Sequence, residues 1–311
     1  MTLILLLGTL EDNTLLTVYD ALKRSDTPVL FVDQKNVSSA TIELELISGN
    51  IAGFLEYDNE TIELKTITGA YIRPYSIRQL FDDINDDLLQ KFLKVNESLS
   101  SWAELTSALV LNRPSAMASN NSKPYQLMKI RSFGFEIPET FITTDPNSAL
   151  AFWQKYRIVV YKSISSIRSI VSRLSQQHID RLKNVIWCPT QFQRYIPGVN
   201  FRAHVIGDKV FACQILSNAD DYRYPKQQGE NVEIIPSDLP QNISYRCKTL
   251  TNELGLTVSG IDLKFTSEGK WYCFEVNPSP AFNYYQGATK QPIDEAIVDL
   301  LKSSNAIDYP Y

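Results

Sequence analysis

The chain has 311 residues, enough for two or three folded units with a cleft between them. Its 30 Lys and Arg residues against 35 Asp and Glu residues give a net charge of −5, so no general attraction to nucleic acid or to an anionic membrane is expected. The 2 histidines offer little material for a His-rich metal site or a Ser-His-Asp triad. Carboxylates, amides, Lys and Arg must therefore carry any chemistry.

The first apolar run and the cysteines both indicate a protein of the reducing cytoplasm. The run Leu3 to Leu7 has no basic residue ahead of it and stops at Gly8, far short of a bilayer span, so a buried strand is predicted and no membrane partner. The cysteines lie far apart in apolar company and form no C-x-x-C pair, which predicts small core residues: Cys188, Cys213, Cys247 and Cys273.

Residues 1–111 have the rhythm of an α/β unit with a mostly parallel sheet. Short apolar runs alternate with helix-like segments; the runs are 3–7, 29–33 and 70–73, and the helical segments are 12–24 and 85–110. Gly8 follows the first predicted strand without a further G-x-x-G, so the dinucleotide-binding fingerprint is absent.

A small lobe is predicted for residues 112–190. After the polar loop that begins at Asn112, Ser122 is placed to cap a helix that carries Pro124 in its first turn and ends at Gly134. The pattern then predicts a strand over 137–143, a helix over 147–156 and a strand over 157–162 that ends in a lysine.

Residues 191–311 predict an antiparallel sheet with a helix. The segment Q-F-Q-R-Y-I-P-G ends a strand and turns at Gly198, and Gly207-Asp208 joins two strands as a hairpin. A helix over 242–254 ends at Gly255, and two alternating strands follow, joined through T-S-E-G with Gly269 in a tight turn.

Those last two strands carry a candidate metal site. Alternation places Asp262 and Lys264 on one face of the first strand, and Glu275 and Asn277 together on one face of the second, opposite Tyr272, Phe274 and Val276. If the strands pair as a hairpin, two carboxylates and an amide oxygen meet, which is a donor set that suits Mg²⁺. The alternative is that these are ordinary solvent-facing polar residues.

Five features in order resemble the ATP-grasp ligase superfamily over about residues 112–305: the lysine of N-N-S-K-P, the lysine ending V-V-Y-K, the Q-R-Y-I-P-G hinge, the G-I-D strand and E-V-N-P-S-P. The branch is that of the ribosomal-protein glutamate ligases (RimK-type) and the microviridin-type peptide maturases. The resemblance implies an α/β fold with α+β lobes: an N-terminal α/β domain, a small central lobe and a C-terminal antiparallel-sheet lobe, with ATP between the last two.

The resemblance also implies roles for individual residues. The Mg²⁺ ligands, for a pair of ions bridged by Glu275, would be Asp262, Glu275 and Asn277. The nucleotide would be held by two lysines reaching the phosphates, by the backbone of an adenine hinge and by an amide at the ribose: Lys123, Lys162, Gln193, Arg194, Tyr195, Ile196 and Asn200. Arg202 and Arg223 would hold the γ-phosphate and the acyl phosphate. Surface lysines and solvated arginines remain the alternative for these cations.

Two positions depart from the family pattern. Relatives often carry Glu where Arg194 stands, which leaves the role of that side chain in doubt. The loop 163–169 has no glycine, whereas many relatives lay a Gly-rich flap over the phosphates; serine hydroxyls and Arg168 are the candidates to share that task.

The function implied is an ATP-dependent carboxylate–amine or carboxylate–hydroxyl ligase that acts through an acyl phosphate on a peptide or amino-acid substrate. Tyr222, Tyr224, Tyr284 and Tyr285 are candidates to line a peptide groove. The alternatives are a ligase of small molecules or amino acids in a biosynthetic pathway, and a catalytically silent nucleotide-binding protein. The sequence leaves the oligomeric state open, a homodimer included.

Overall fold

The computed structural model of the chain describes residues 2–164, 171–217 and 231–303. Within them the strands are β1 Leu3–Gly8, β2 Val29–Asp33, β3 Ala40–Ile47, β4 Asn50–Tyr57, β5 Glu60–Glu63, β6 Ile67–Ile72, β7 Leu109–Leu111, β8 Thr140–Thr143, β9 Val159–Ser163, β10 Ser172–Arg173, β11 Thr190–Arg194, β12 Val199–Ile206, β13 Lys209–Leu216, β14 Glu233–Pro236, β15 Val258–Phe265 and β16 Trp271–Asn277. The α-helices are α1 Asn13–Arg24, α2 Ile77–Leu80, α3 Asp86–Leu105, α4 Pro114–Met117, α5 Lys123–Ser132, α6 Pro146–Tyr156, α7 Gln241–Glu253, α8 Asn283–Thr289 and α9 Ile293–Lys302. None of these helices is long and apolar enough to cross a membrane.

The N-terminal part contains the predicted parallel sheet, in the order β2-β1-β6-β7. Its apolar strands are buried on both faces, because α3 packs on one side while α1 and α9 pack on the other. The predicted helix over 85–110 is wrong at its end. The helix stops at Leu105, and the apolar triplet Leu109–Leu111 forms β7 at the edge of the sheet.

A three-stranded antiparallel meander, β3-β4-β5, was not predicted. Its alternating sequence places Ile42 and Leu44 against the core and Glu43 and Glu45 in solvent. The signal was present in T-I-E-L-E-L-I as a period of two.

The remaining strands form two antiparallel sheets. The smaller has the order β10-β9-β11-β8, and the larger has the order β14-β13-β12-β15-β16. The predicted helix start at Ser122 is confirmed, since its hydroxyl accepts from the N–H of Tyr125. The two predicted hairpins are also confirmed, with Gly207 at φ 54° and Gly269 at φ 76° in the turns.

Asn112 ties the N-terminal part to the large sheet. Its side-chain nitrogen donates to the carbonyls of Val258 (2.7 Å) and Pro278 (2.6 Å), and its oxygen accepts from the N–H groups of Thr257 (2.8 Å) and Val258 (3.0 Å). The residue is 3% exposed, so water cannot replace these partners. The carboxamide therefore joins the end of β7 to the segments that lead into β15 and out of β16.

We expect Asn112→Ala to lower the free energy of unfolding by about 3–5 kcal/mol, because it leaves buried N–H and C=O groups without partners. The measurement is the midpoint of urea denaturation. Asn50→Ala, at an exposed position, should change the free energy by less than about 0.5 kcal/mol. Equal midpoints for the two variants would contradict this role of Asn112.

A buried ion pair provides a second connection. The Arg73 guanidinium donates to Asp12 Oδ2 (2.6 Å), to Ser279 Oγ (3.0 Å) and to the carbonyl of Pro280 (3.1 Å). Burial raises the pKa of Asp12, but Arg73 and the N–H groups at the start of α1 outweigh it, so the pKa lies below its usual value. The turn that follows β16 is thus fixed against the N-terminal sheet.

The prediction that the cysteines are core residues is confirmed for three of the four. Burial raises the pKa of the Cys213 thiol to about 11 and that of Cys247 to about 12, and it raises the pKa of Cys273 well above its usual value. The prediction is wrong for Cys188, which is exposed, because it directly follows the last turn of the 3₁₀ helix Gln176–Trp187 at the surface.

Candidate active site

The predicted metal ligands lie at the centre of the large sheet. β15 and β16 pair as a hairpin in which Asp262 is opposite Glu275 and Gly260 is opposite Asn277. The Asp262 and Glu275 side chains are 23% and 21% exposed, so they are neither core residues nor freely solvated ones. Asn277 Oδ1 accepts from the N–H of Ser279 (2.9 Å) and so closes the turn after the strand.

A β-bulge corrects the predicted faces of β16. The register shifts after Asp262, so that Leu263 pairs with Cys273 and Phe274 is the extra residue. Cys273 and Val276 therefore pack in the core, whereas Phe274 lines the cleft beside Glu275. The prediction that Tyr272, Phe274 and Val276 share one face is wrong, because strict alternation does not hold across a bulge: Tyr272 is paired with Lys264, whereas Val276 packs in the core.

Two lysines from different elements meet at Glu275. Lys123 begins α5, and its ammonium donates to Glu275 Oε1 and to Asn120 Oδ1 (2.7 Å). Lys162, on β9 of the small sheet, has its Nζ 3.8 Å from Glu275 Oε2. Both lysines are less than one-tenth exposed, so the surface-lysine alternative does not describe them. Glu275 is the point where the small sheet, α5 and the large sheet meet.

Arg202 is held in a buried cluster on β12. It is opposite Asp262 in the register, its NH1 donates to Asp262 Oδ1 (2.7 Å), and its Nε donates to His204 Nε2 (3.4 Å). Its guanidinium lies 5.7 Å from the ring centre of Tyr285. Gly260 leaves room for it, because a Cβ there would lie 1.9 Å from Arg202 NH2. The guanidinium is therefore fixed in position beside the carboxylates.

His204 makes stability depend on pH. Burial, together with the adjacent Arg202 charge, holds the pKa of His204 well below 6.5. As the pH falls, His204 is protonated in the unfolded chain before it is protonated in the folded chain. The contribution of His204 to stability is therefore complete above about pH 6.5 and decreases below it. We expect the free energy of unfolding to fall by about 1.4 kcal/mol per pH unit below about pH 6 from this residue.

The measurement is urea denaturation of the wild type and of His204→Gln between pH 7.5 and pH 5.5. The glutamine variant keeps a polar partner for Arg202 and should lose this part of the slope. Parallel slopes in the two proteins would show that His204 does not titrate differently on folding.

A cleft between the two antiparallel sheets opens beside these groups. Its volume is about 770 Å³, including the part open to solvent, and it is lined by Val160, Lys162, Val171, Gln193, Arg194, Tyr195, Ile196, Asn200, Asp262, Leu263, Lys264, Phe274 and Glu275. The cleft thus brings together all four predicted hinge residues, the predicted ribose residue, one predicted phosphate lysine and two of the predicted metal ligands.

The hinge backbone is only partly available to a ligand. The N–H of Arg194 donates to the carbonyl of Glu139 (3.0 Å) and that of Tyr195 to the carbonyl of Ile158 (3.0 Å). The Arg194 guanidinium pairs with the Glu139 carboxylate at 2.5 Å, at the rim of the cleft. The Arg194 side chain is thus engaged by Glu139.

Sequence reasoning missed Lys264 as a residue of this cleft. Its ammonium donates to the carbonyl of Ile196 (3.0 Å) and lies 5.1 Å from the ring centre of Tyr195 and 5.7 Å from that of Phe274. The sequence did contain a signal for this position, because alternation places Lys264 on the same face of the strand as Asp262. The lysine fixes the hinge to the large sheet.

Four sequence predictions lie outside the described residues: Arg168 in the glycine-free loop, and Arg223, Tyr222 and Tyr224. Of the two other tyrosines, Tyr285 packs on His204 with 5.0 Å between ring centres, whereas Tyr284 is 56% exposed.

The residues present fit a magnesium ion. Asp262, Glu275 and Asn277 offer hard oxygen atoms on one patch of sheet, and Mg²⁺ binds few protein carboxylates and takes its other ligands from water and phosphate. Within the described ranges no three His, Cys, Asp or Glu residues cluster as a protein-only metal site would require. Water and phosphate oxygens would complete the coordination.

Two antiparallel sheets that enclose a cleft, with carboxylates on one sheet and lysines reaching them from the other elements, define a protein of the ATP-grasp class. The chain belongs to the RimK-like ATP-grasp family, whose domain profile matches residues 118–301, more than half of the chain. The predicted fold and family are thereby confirmed.

Alpha-L-glutamate ligases are among the known proteins similar to this chain. A probable alpha-L-glutamate ligase of Rhodopirellula baltica is 29% identical over 121 residues, which are 39% of this chain and 29% of that protein. A probable alpha-L-glutamate ligase 2 of Shewanella baltica is 30% identical over 119 residues, which are 37% of this chain and 38% of that protein. The alignment spans well under half the length of either relative.

The solved structures resemble the chain along nearly its whole length. Macrocyclase MdnC of Microcystis aeruginosa, bound with precursor peptide MdnA, has a TM-score of 0.81 at 22% identity and covers 98% of this chain and 100% of its own. A RiPP-associated ATP-grasp ligase of Chryseobacterium gregarium, in complex with ADP and a leader and core peptide, has a TM-score of 0.80 at 22% identity and covers 99% and 100%. At this identity the likeness establishes the fold.

Proposed function

We propose that the protein is an ATP-dependent ligase that joins a carboxylate to an amine or a hydroxyl group, acting on a peptide. The observation that carries the proposal is the meeting of Lys123, Lys162 and Arg202 with Asp262 and Glu275 at one end of the cleft. Three cations and two carboxylates in a partly desolvated site match the needs of phosphoryl transfer, which depends on positioning and charge stabilisation.

ATP and Mg²⁺ are the proposed co-substrate and metal. The adenine would lie along the hinge from Gln193 to Ile196 and the ribose near Asn200, while the lysines would reach the α- and β-phosphates. Two Mg²⁺ ions, with Glu275 shared between them, would offset the phosphate charge during transfer. Arg202 would hold the γ-phosphate, because its planar guanidinium can grip two phosphate oxygens at once. Arg223 keeps its predicted role as a second arginine.

The proposed reaction has two steps. A carboxylate oxygen of the substrate attacks the γ-phosphorus, the bond from that phosphorus to the β–γ bridging oxygen breaks, and ADP leaves. The acyl phosphate is then attacked at its carbonyl carbon by an amine or a hydroxyl, which gives up a proton as inorganic phosphate departs. The balance is one ATP converted to ADP and inorganic phosphate, and the mass of one water lost from the substrates, per linkage.

The similar structures and the curated relatives favour two different candidate substrates. The structures of MdnC and of the Chryseobacterium enzyme contain peptides, which favours a peptide for this chain. The curated relatives carry the name of an alpha-L-glutamate ligase, which favours as second candidate the addition of an amino acid.

Mass spectrometry separates the candidates. The protein is incubated with Mg²⁺-ATP and peptide or amino-acid pools while ADP release is followed. A mass loss of one water within a peptide supports internal linkage, and a gain of one amino-acid residue supports the glutamate-ligase type. Absence of both, with nucleotide bound, would identify a catalytically silent nucleotide-binding protein.

We propose further that the chain divides into units over 1–111, 112–190 and 191–311. Pairing of β11 with β8 and β9 favours extending the middle unit to Arg194.

The buried free thiols favour a location in the cytoplasm. A homodimer stays a prediction, which sedimentation velocity tests.

A further inference from the structure

The unexplained group in the small sheet is the side chain of Gln191. It is 1% exposed, and its side-chain oxygen has no hydrogen-bond partner in the structure of the described residues. A buried carboxamide oxygen without a partner costs free energy, so its presence requires a reason.

The geometry of β11 places the Gln191 side chain on the cleft face of the small sheet. Phe192, its neighbour in sequence, packs with Val159 in the core under α6, on the other face. Side chains alternate, so Gln191 lies on the same face as Gln193, which lines the cleft. Gln191 is thus a buried acceptor on the same face as the cleft residues Lys162 and Gln193.

The residue directly opposite Gln191 across the strand pair is Lys162. Side chains of such a pair have Cβ atoms about 4.5–5.5 Å apart, within reach of a lysine ammonium and a carboxamide oxygen. In the structure the ammonium is directed to Glu275, with Nζ 3.8 Å from Oε2. A metal on Glu275 would take that carboxylate from Lys162.

We propose that Gln191 is a positioning residue for Lys162: when metal and nucleotide bind, Lys162 leaves Glu275 and donates one hydrogen bond to the Gln191 oxygen while its other N–H groups reach the phosphates. This inference rests on the proposed function. It explains why the acceptor is kept buried and without a partner before the ligand arrives. A lysine side chain is long and flexible, so a fixed acceptor lowers the cost of holding its ammonium at the phosphates.

The test is calorimetric binding of Mg²⁺-ADP and of adenosine to the full chain and to Gln191→Met, which has similar volume and no carboxamide. We expect the affinity for Mg²⁺-ADP to fall about tenfold, as for the loss of one hydrogen bond to a charged group, and the affinity for adenosine, which lacks phosphates, to stay the same. Urea denaturation without ligand should show unchanged or higher stability, because the variant removes an unpaired buried group. Gln214→Met, at a half-buried position of β13, is the matched control and should alter none of these quantities.

A double-mutant cycle distinguishes positioning from direct contact. In the background Lys162→Met, the change Gln191→Met should cause no further loss of Mg²⁺-ADP affinity. A further tenfold loss there, a loss of adenosine affinity equal to that of Mg²⁺-ADP, or lower stability without ligand would each overturn the proposal. If the wild type binds Mg²⁺-ADP and Gln191→Met binds it equally, this inference fails alone; if the wild type does not bind it, the proposed function fails as well.

Discussion

Glu275→Gln is expected to lower turnover by about a hundredfold or more, measured as ADP release with the substrate found in the mass screen. The amide keeps the size of the side chain and removes its negative charge. The variant would therefore lose the charge that compensates a divalent cation, and with it the proposed bridge between two ions. Calorimetry should show weaker binding of Mg²⁺-ADP and unchanged binding of adenosine.

The matched control for this variant is Glu268→Gln. Glu268 lies in the turn of the same hairpin, its side chain is 72% exposed, and it pairs with Lys270 at 3.0 Å. The Glu268→Gln variant should keep full turnover, because an ion pair at the surface contributes little to stability. Turnover of Glu275→Gln equal to that of the wild type would refute the metal assignment.

The charged groups of the site are paired with one another. Lys123 and Lys162 contact Glu275, and Arg202 contacts Asp262, so the groups proposed for phosphate and the groups proposed for metal are paired with each other. Buried charges need partners, and these pairs supply them before any ligand binds. Mg²⁺ and nucleotide together replace both sides of each pair, whereas either alone would leave a charge of one sign without its partner.

The sequence predicted the β15–β16 hairpin because alternation, the turn glycine and the polar face all indicated the same pairing. Asp262 and Glu275 could therefore be placed side by side without a structure. The bulge at Phe274 could not be predicted, since an extra residue in one strand does not change the composition of the strand in a recognisable way. The meeting of Lys123 with Glu275 also depends on how α5 packs against the sheet, and the lysine could be assigned only through the family resemblance.

Contacts between remote segments were beyond sequence reasoning. The sequence predicts that Asn112 begins a polar loop, yet its carboxamide joins β7 to β15 and to the turn after β16. The sequence places Gln191 in a strand before the hinge, but its burial and its position opposite Lys162 are visible only in the structure. Composition gives no signal for either role, because polar residues are expected in loops and in hinges alike.

Arg202→Lys is expected to lower kcat by about a hundredfold while the affinity for Mg²⁺-ADP changes little. Lysine keeps the positive charge beside Asp262 but lacks the planar guanidinium group, which can donate hydrogen bonds to two oxygens of the γ-phosphate. ADP has no γ-phosphate, so its binding does not report on that contact. The measurement is kcat from ADP release beside the dissociation constant of Mg²⁺-ADP.

Gly260→Ala tests the same contact without removing the arginine. The added Cβ would lie 1.9 Å from Arg202 NH2 and 2.7 Å from Pro280 Cβ, so the guanidinium must move away. This variant should also lower kcat, whereas Arg131→Lys, which alters a half-exposed arginine paired with Glu136, should not. If Arg202→Lys and Gly260→Ala both keep the wild-type kcat, Arg202 does not hold the transferred phosphoryl group, and the buried cluster with His204 and Tyr285 serves stability alone.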